Sequence, residues 1–402
     1  MGLGRRIGAN KAVLALSFAR LGDALGNSIL FIVLPLYVAV LPAPWLPLPE
    51  SVRAGILISV FGLVNALLQP FAAAFSDWLD RRKAFVQAGL LVMGLSTLGL
   101  AAATRFTDLL LLRIAQGIGL GVTLPASMAL LAHASSQGTR GGTMGVYTTL
   151  RMVGLTLGPL IGGALYDRYG FAPAFFVGAG FIALAVVLVQ WWVRDVRTNR
   201  EGQPRAPFRF MERRLLTPGI VGAGFATFTM ASAFSMMTPL EQQFNERLHQ
   251  GAFAFAVAFS VLMVSRLLLQ APLGWLSDRI GRKPLIIGGL LVMAPATALL
   301  GFTHTTGQLV ALRVIQGAGS AGVAAPAFAL AADLATAGGT GRQMSVLTMG
   351  FGLGIAAGPL LGGLLAVPSF ELPFLVAALM LAACAWFIAR RVPETLRRDP
   401  TS

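Results

Sequence analysis

Twelve long apolar stretches dominate the sequence and leave little choice of fold. Each is long enough to cross a hydrocarbon core of roughly 30 Å as an α-helix. The predicted spans form two series of six: 12–38, 54–75, 84–103, 107–131, 142–165 and 171–193, then 217–240, 251–273, 284–303, 307–331, 343–366 and 370–389. With 56% apolar and only 12% charged residues, the chain is predicted to be an all-α, multi-pass membrane protein.

The positive charges predict on which side of the membrane each loop lies. Lysine and arginine outnumber the acids 31 to 16, which gives a net charge of +15. If the N-terminus is cytoplasmic, 22 of the 31 cations fall on the inner side and only 4 in outer loops, as the positive-inside rule requires. We therefore expect cytoplasmic termini in a prokaryotic inner membrane. The basic face suits anionic lipid head groups, and no nucleic-acid partner is needed to explain the charge.

The second half of the sequence repeats the first. Three motifs recur in the same order, 200 or 201 residues apart: FSDWLDRRK as LSDRIGRK, RIAQGIG as RVIQGAG, and GLTLGPLIGG as GIAAGPLLGG. The chain is thus predicted to form two pseudo-symmetric six-helix bundles, 1–193 and 217–402, joined by a cytoplasmic linker at 194–216. The second bundle ends in a short cytoplasmic tail. Parallel repeats of this kind place a binding site near the membrane midplane, between the halves.

These motifs resemble those of the major facilitator superfamily. Segment 274–283, GWLSDRIGRK, matches the loop signature of that family in full, whereas the copy in the first half departs from it, with Ala73, Trp78 and Asp80 in place of Gly, Arg and Gly. The glycine–proline run at 154–163 and the motif at 113–119 are similar to those of the drug/proton antiporter branch. The resemblance implies the twelve-helix major facilitator fold, with a proton gradient as the energy source and no cofactor.

The acids and arginines of the two short loops are predicted to form a cytoplasmic gate. Asp77 or Asp278 can accept hydrogen bonds from amides at a helix N-terminus, where the helix dipole favours an anion. Asp333 is expected to pair with Arg282 or Arg342. The alternative is that the cations only set topology. The candidate gate residues are Asp77, Arg81, Arg82, Gly274, Asp278, Arg279, Gly281, Arg282 and Asp333.

Glycine and proline runs recur in the fifth span of each half. Glycine lets helix backbones approach closely, and proline removes one helical hydrogen bond. We expect a tightly packed, kinked seam between the halves, as a rocking transporter requires; static packing is the alternative. The seam residues are Gly154, Gly158, Pro159, Gly162, Gly163, Gly354, Gly358, Pro359, Gly362 and Gly363.

Charged residues inside the spans are candidates for function, because burying a charge is costly unless it is paired or hydrated. Asp23 lies near the middle of the first span, with Arg20 and Asn27 on the same helix face. A carboxylate there can gain and lose a proton as its surroundings change, which a proton-coupled carrier needs. The alternative is a permanent Arg20–Asp23 pair that only stabilises packing.

Two further residues are candidates for proton coupling. The resemblance assigns this role to Arg113, for which hydrogen bonding to backbone carbonyls is the structural alternative. Glu241 follows a Pro-Leu pair at the outer end of its span, as Tyr37 does in the first half. It is a candidate for an outer gate or a second proton site.

Other polar and soft apolar residues are candidates for lining a substrate cavity. Arg151 and Arg266 have no acid in their own spans, so they must find interhelical partners, line water or meet an anionic substrate group. Asn65 is the repeat counterpart of Arg266, and the seventh span is rich in Phe and Met, which adapt to varied apolar ligands. The cavity candidates are Asn27, Asn65, Gln116, Arg151, Phe228, Phe234, Met237, Arg266 and Arg313.

These observations predict a monomeric secondary transporter that works by alternating access. It is expected to export hydrophobic or amphipathic small molecules in exchange for protons. One alternative is a proton symporter or uniporter importing a polar or anionic metabolite; another is a membrane receptor or sensor on the same scaffold. The sequence contains no P-loop, dinucleotide fingerprint, metal-ligand cluster or catalytic constellation, so an enzyme is not expected.

Overall fold

The computed structural model describes residues 11–43, 47–79, 81–135, 140–195, 217–334 and 340–395. The first-half helices are α1 (Lys11–Val40), α2 (Glu50–Leu79), α3 (Arg82–Gly99), α4 (Phe106–Ala134), α5 (Arg140–Tyr169) and α6 (Phe171–Trp192). The second-half helices are α7 (Pro218–Ser235), α8 (Glu241–Leu248), α9 (Ala252–Ile280), α10 (Arg282–Leu300), α11 (Thr306–Asp333), α12 (Thr340–Leu365) and α13 (Leu372–Arg391).

Twelve segments of the described chain are long and apolar enough to cross a membrane, which confirms the predicted number of spans. One span is not a single helix. It runs from Pro218 to Leu248 and joins α7 to the short helix α8 through a 3₁₀ turn, Thr238–Leu240. Pro239 lies in that turn and supplies no N–H to the helical hydrogen-bond ladder.

The chain forms two compact units, each with its own apolar core. The first unit comprises the described parts of 1–47, 60–208 and 251–256; the second comprises those of 48–59, 209–250 and 257–402. Each unit therefore includes the beginning of one helix from the other half of the sequence. The predicted linker lies outside the described residues from 196 to 216.

Within the first unit, the glycines of α5 let this helix pack closely on α1. A Cβ atom on Gly158 would lie 1.9 Å from Ser28 Oγ, and one on Gly162 would lie 2.8 Å from the carbonyl oxygen of Ile29. Ser28 Oγ in turn donates a hydrogen bond to the carbonyl of Gly154 at 3.0 Å. The close approach and this hydrogen bond hold the two helices together.

The second unit repeats this packing between α12 and α7. A Cβ atom on Gly358 would lie 2.1 Å from Ser235 Oγ, and one on Gly362 would lie 2.2 Å from the carbonyl oxygen of Met236. The seam expected between the halves is therefore, at these glycines, a seam inside each unit. Because glycine has no side chain, the two helices that meet at this seam can approach each other closely.

Gly163 and Gly363 differ from the other seam glycines in what they face. A Cβ atom on Gly163 would lie 3.0 Å from the carbonyl oxygen of Ala252, and one on Gly363 would lie 2.2 Å from that of Ser51. Ser51 Oγ also donates to the carbonyl of Gly363 at 3.0 Å. These two glycines thus hold the short helix beginnings that each unit takes from the other half of the sequence.

Candidate functional site

The first unit buries an ion pair in α1. Arg20 Nη1 donates to the carboxylate of Asp23, and the two residues are 8% and 2% exposed. Arg151 and Tyr147 of α5 lie within electrostatic range of the same carboxylate. Asp23 is therefore surrounded by two cations and a phenol, so a proton on its carboxylate changes the charge balance of the whole cluster.

Asn27 does not join that pair, although it shares its helix face. Arg113 Nη1 donates instead to Asn27 Oδ1 at 3.3 Å and to Gln116 Oε1 at 2.9 Å. Gln116 Nε2 then donates to Thr97 Oγ1 at 2.8 Å. The Arg113 guanidinium lies 4.2 Å from the ring centre of Phe61, in cation–π contact. The network joins α1, α3 and α4 through side chains.

The second unit contains the same network. Arg313 Nη1 donates to Gln316 Oε1 at 2.6 Å and to the carbonyl oxygen of Phe234 at 3.3 Å. Gln316 Nε2 donates to Thr297 Oγ1 at 2.9 Å. Because both units have it, this Arg–Gln–Thr network belongs to the repeated architecture. Sequence reasoning missed both threonines, although each lies 19 residues before its glutamine.

The packing contacts align α1 with α7 and show where the units differ. Ser28 and Ser235 occupy equivalent places against Gly158 and Gly358, so these helices are related by 207 residues rather than 200. On that alignment the counterpart of Asp23 is Met230, which is fully buried. The acidic group of the first unit therefore has no counterpart in the second.

The same alignment shows that Tyr37 and Glu241, which both follow a Pro-Leu pair, do not occupy equivalent positions in the two units. Tyr37 contacts the ring of Phe175, with centroids 5.4 Å apart, and Phe244 makes the equivalent contact with Phe374 at 5.6 Å. The structural counterpart of Tyr37 is thus Phe244. Glu241 begins α8, directly after the 3₁₀ turn, and is fully buried.

The remaining cavity candidates are distributed over both units. Asn65 accepts a hydrogen bond from Gln69 at 3.1 Å in the first unit. In the second, Phe228 stacks on Phe225 with ring centroids 6.4 Å apart, and Met237 is buried at the end of α7. Arg266 is 8% exposed.

A charged cluster lies at the end of the second unit where α9 meets α10. Arg282 donates to Asp278 through Nη1 and to Asp333 at 3.2 Å through Nε, which is one of the two pairings that the sequence allowed for Asp333. Thr395 Oγ1 also donates to Asp333, at 2.9 Å. The side chain of Asp77, in the matching loop of the first unit, lies outside the described residues, as does that of Arg342.

Glu394, rather than Asp278, accepts the hydrogen bonds at a helix N-terminus. Its carboxylate oxygens accept from the backbone N–H groups of Arg282 and Lys283, both at 3.1 Å. Gly281, before the helix, has φ of +112°, and a Cβ atom there would lie 2.6 Å from Glu394 Oε2. The Asp278 carboxylate accepts a hydrogen bond from Arg282 instead, and its expected part in a gate stays a prediction.

The repeat could have revealed this residue. In the first unit, Asp195 accepts a hydrogen bond from the backbone N–H of Lys83 at 3.2 Å, and Lys83 Nζ donates to the carbonyl of Gln190 at 2.8 Å. An acid just after the sixth span thus caps the third span in each unit. In the second unit, Arg279 lies over the ring of Trp275, with Cζ 3.6 Å from the ring centre.

We expect Glu394→Gln to loosen the beginning of α10. An anion at a helix N-terminus is worth about 0.3–1 kcal/mol, so the amides of Arg282 and Lys283 should exchange with deuterium roughly two to five times faster. Asp195→Asn is the matched control and should act on Lys83 instead. Equal exchange at Arg282 in Glu394→Gln and the unmodified protein would contradict the capping role.

Further acids that the sequence did not single out lie where α9 and α13 begin. Asp167 accepts hydrogen bonds from the backbone N–H groups of Ala252 and Phe253, at 3.1 and 3.0 Å, where α9 begins. Arg247 donates to Glu371 at 3.0 Å, and this hydrogen bond lowers the pKa of Glu371. The Asp167 carboxylate thus stabilises the beginning of α9, and the Glu371 carboxylate is stabilised by a cation.

Among the described residues, twelve spans in two repeated units, with arginine and acidic side chains buried inside them, give the architecture of a polytopic membrane transporter. The model of the Major Facilitator Superfamily matches residues 16–268 and 246–402, and the chain belongs to this superfamily. It is a multi-pass inner membrane protein and not an enzyme.

The relatives of the chain include bacterial proteins named for multidrug resistance. It is 27% identical over 355 residues to Multidrug resistance protein MdtG of Serratia proteamaculans, covering 86% of each chain. It is 28% identical over 352 residues to the protein of that name from Citrobacter koseri, covering 85% of this chain and 86% of the relative.

Solved structures share the fold. A bacterial homologue of the human lysosomal transporter Spinster, in an inward-facing and occupied conformation, superposes with a TM-score of 0.79 at 16% identity, over 97% of this chain and 98% of that one. The human organic anion transporter MFSD10 gives a TM-score of 0.68 at 18% identity, over 96% and 100%. At these identities the likeness concerns the fold alone.

Proposed function

We propose that the protein exports hydrophobic or amphipathic small molecules in exchange for protons, by alternating access, with Asp23 as the proton-carrying group. The observation that carries this proposal is the buried cluster of Asp23, Arg20 and Arg151 in the first unit, which has no acidic counterpart at Met230. The multidrug-resistance names of the MdtG relatives support the direction of transport.

The chemistry of the cycle follows from the cost of buried charge. An ionised Asp23 is stabilised by the hydrogen bond from Arg20, so the pair holds α1 in one arrangement. A proton from the outer side neutralises the carboxylate and leaves Arg20 free to bind another acceptor. Release of that proton to the cytoplasm restores the pair. Proton flow down its gradient thereby drives the conformational change that moves substrate outward.

The Arg282 cluster supports a proposed role as part of the inner gate, since it ties α9, α10 and α11 together through Asp278 and Asp333. We propose further that the protein acts as a monomer with both termini in the cytoplasm. Its basic inner loops attract anionic lipid head groups.

Flux into proteoliposomes under an imposed pH gradient tests the proposal. The probes are three dansyl compounds with one alkyl chain, which ends in a carboxylate, an amide or an ammonium group. We expect at least one probe to move against its gradient, and Asp23→Asn to lower this movement about tenfold or more. Exchange of probe across the membrane without a gradient should survive, because asparagine still accepts a hydrogen bond from Arg20.

Asp108→Asn is the matched control, since Asp108 is an exposed acid that caps α4. It should leave gradient-driven flux unchanged. If no probe moves, or if the gradient drives equal movement with Asp23 and with asparagine at that position, the proposed function is wrong.

A further inference from the structure

The second unit buries two arginines that have spare hydrogen-bond donors. Arg313 is fully buried and Arg266 is 8% exposed. The Nε atom of Arg266 and the Nε and Nη2 atoms of Arg313 have no hydrogen-bond acceptor. Within the described ranges, no acidic side chain pairs with either guanidinium. Among the described residues, these two buried guanidinium groups thus have no ion-pair partner.

Arg266 is not required by the repeated architecture. Gly117 packs against Phe61 and Val64, and Gly317 packs against Leu262 and Ser265, so α2 and α9 are related by 201 residues. Asn65 therefore occupies, in the first unit, the position that Arg266 occupies in the second. The first unit folds around a neutral amide there, which is satisfied by Gln69. The buried charge of Arg266 needs a reason other than packing.

The carboxylate that lies beside the buried arginines of the first unit has no equivalent at the matching position of the second unit. The counterpart of Asp23 is Met230, a fully buried apolar side chain. The counterpart of Arg151 is Phe351, 200 residues on along α12, and Arg266 lies over its ring with Cζ 5.4 Å from the ring centre. The second unit thus keeps a cation close to this place and replaces the carboxylate by apolar surface.

Aromatic rings connect the two arginines. The ring of Phe351 lies 6.2 Å from that of Phe234, whose carbonyl oxygen accepts a hydrogen bond from Arg313. The ring of Phe259 lies 5.6 Å from the Arg313 guanidinium. The spare donors are therefore set among aromatic faces, with Met230 on the neighbouring helix. An anionic group next to an apolar or aromatic body matches such surroundings in both charge and shape.

We propose that the second unit binds amphipathic organic anions, with Arg266 as the main partner of the acidic group and the rings of Phe351 and Phe234 against the apolar body. Arg313 adds positive potential from its fixed place in the Arg–Gln–Thr network. The inference rests on the proposed export function and names its substrate class. Guanidinium groups bind carboxylates through paired N–H donors, and in a low-dielectric site such a contact is strong.

The division of labour between the units also fits the energetics of export. The first unit holds the group proposed to exchange a proton, and the second holds a cation that an anionic substrate neutralises. An anion moving outward is favoured by a membrane potential that is negative inside. Proton entry at Asp23 and anion exit at Arg266 therefore act in the same direction.

Binding of the three dansyl probes to the purified full-length protein in detergent, at equilibrium and without a pH gradient, tests the inference. We expect the carboxylate probe to bind about tenfold more tightly than the amide probe, and the ammonium probe to bind most weakly. Arg266→Gln should weaken binding of the carboxylate probe about tenfold and leave the amide probe unchanged. Arg266→Lys, which keeps the charge but not the paired donors, should lie between the two.

Arg390→Gln is the matched control, because Arg390 is an exposed arginine that also lies over an aromatic ring, that of Trp386 at 6.0 Å. It should change no probe affinity. Equal affinity for the three head groups, or equal carboxylate binding in Arg266→Gln and the unmodified protein, overturns the inference, provided that thermal unfolding shows the variant folded. If Arg266→Gln does not fold, the same two comparisons are made with Arg266→Lys.

The outcomes separate this inference from the proposed function. Head-group selectivity that depends on Arg266, together with flux that ignores the pH gradient, would support the anion site and overturn proton coupling at Asp23. Gradient-driven flux with no head-group selectivity would support coupling and overturn the anion site.

Discussion

Replacing Gly362 with valine is expected to prevent accumulation of the folded protein. A Cβ atom at this position would lie 2.2 Å from the carbonyl oxygen of Met236, and 3.0 Å and 3.1 Å from its carbonyl carbon and Cα. All three are backbone atoms at the end of α7, so no side-chain rotation relieves the overlap. The helices α7 and α12 must separate, and we expect a loss of about 3 kcal/mol or more.

The matched control is Gly288→Val in α10, since a Cβ atom on Gly288 has no neighbour within 4 Å. Both variants place the same β-branched residue inside a helix, so the difference between them isolates the effect of packing. Yield of monodisperse protein on size exclusion and the midpoint of thermal unfolding are the measurements. Similar yields and midpoints for the two variants would show that the seam can widen freely.

Replacing Arg20 with methionine is expected to lower the free energy of unfolding by about 3–5 kcal/mol. The substitution keeps an unbranched side chain of similar length but removes the donor to Asp23, which leaves a carboxylate buried at 2% exposure without its partner in α1. The double variant Arg20→Met/Asp23→Met removes both charges. It should recover most of the loss, because two apolar side chains pack without any cost of desolvating a charge.

Unfolding by SDS in mixed micelles measures these free energies. Arg247→Met is the control, because the Arg247–Glu371 pair is 30% exposed on both sides and should cost at most about 1 kcal/mol. If Arg20→Met lowers the free energy of unfolding no more than Arg247→Met does, the buried pair contributes no more to stability than an exposed pair. A double variant as unstable as Arg20→Met would instead assign the loss to packing.

The two substitutions probe different sources of stability. At Gly362 the expected loss of stability is steric, because no side-chain rearrangement makes room for a Cβ atom so close to the backbone of Met236. At Arg20 it is electrostatic, and a second substitution can cancel it. Membrane helices use both, since packing of small residues and pairing of buried polar groups replace the hydrophobic driving force that acts in water.

Much of the candidate site follows from the sequence. Asp23 with Arg20 one turn away, and the Arg–x–x–Gln pairs at Arg113 and Arg313, are spacings that one helix turn brings together. The Arg–x–x–Gln motif occurs once in each half of the chain, so a partner found in one half predicts its counterpart. Such contacts need little knowledge of how distant helices pack.

The hydrogen-bond partners that lie on other helices or beyond the spans did not follow from the sequence. Thr97 receives the hydrogen bond of Gln116, and Glu394 rather than Asp278 caps α10. Each contact joins residues that are far apart along the chain, and neither a spacing nor a motif identifies them. The exception is the acid that follows each sixth span, which the repeat could have disclosed.

The sequence by itself determined that this protein is a twelve-span, internally repeated member of the major facilitator superfamily, because span length, charge bias and motif spacing are properties of the chain alone. Only the tertiary structure decided that the glycine seam lies inside each unit and that Met230 stands in place of Asp23. Contacts before and after the 3₁₀ turn both relate α1 to the α7–α8 span by 207 residues, whereas the repeated motifs lie 200 or 201 residues apart. A register shift of that kind leaves the motifs intact, and it becomes visible only through the contacts between helices.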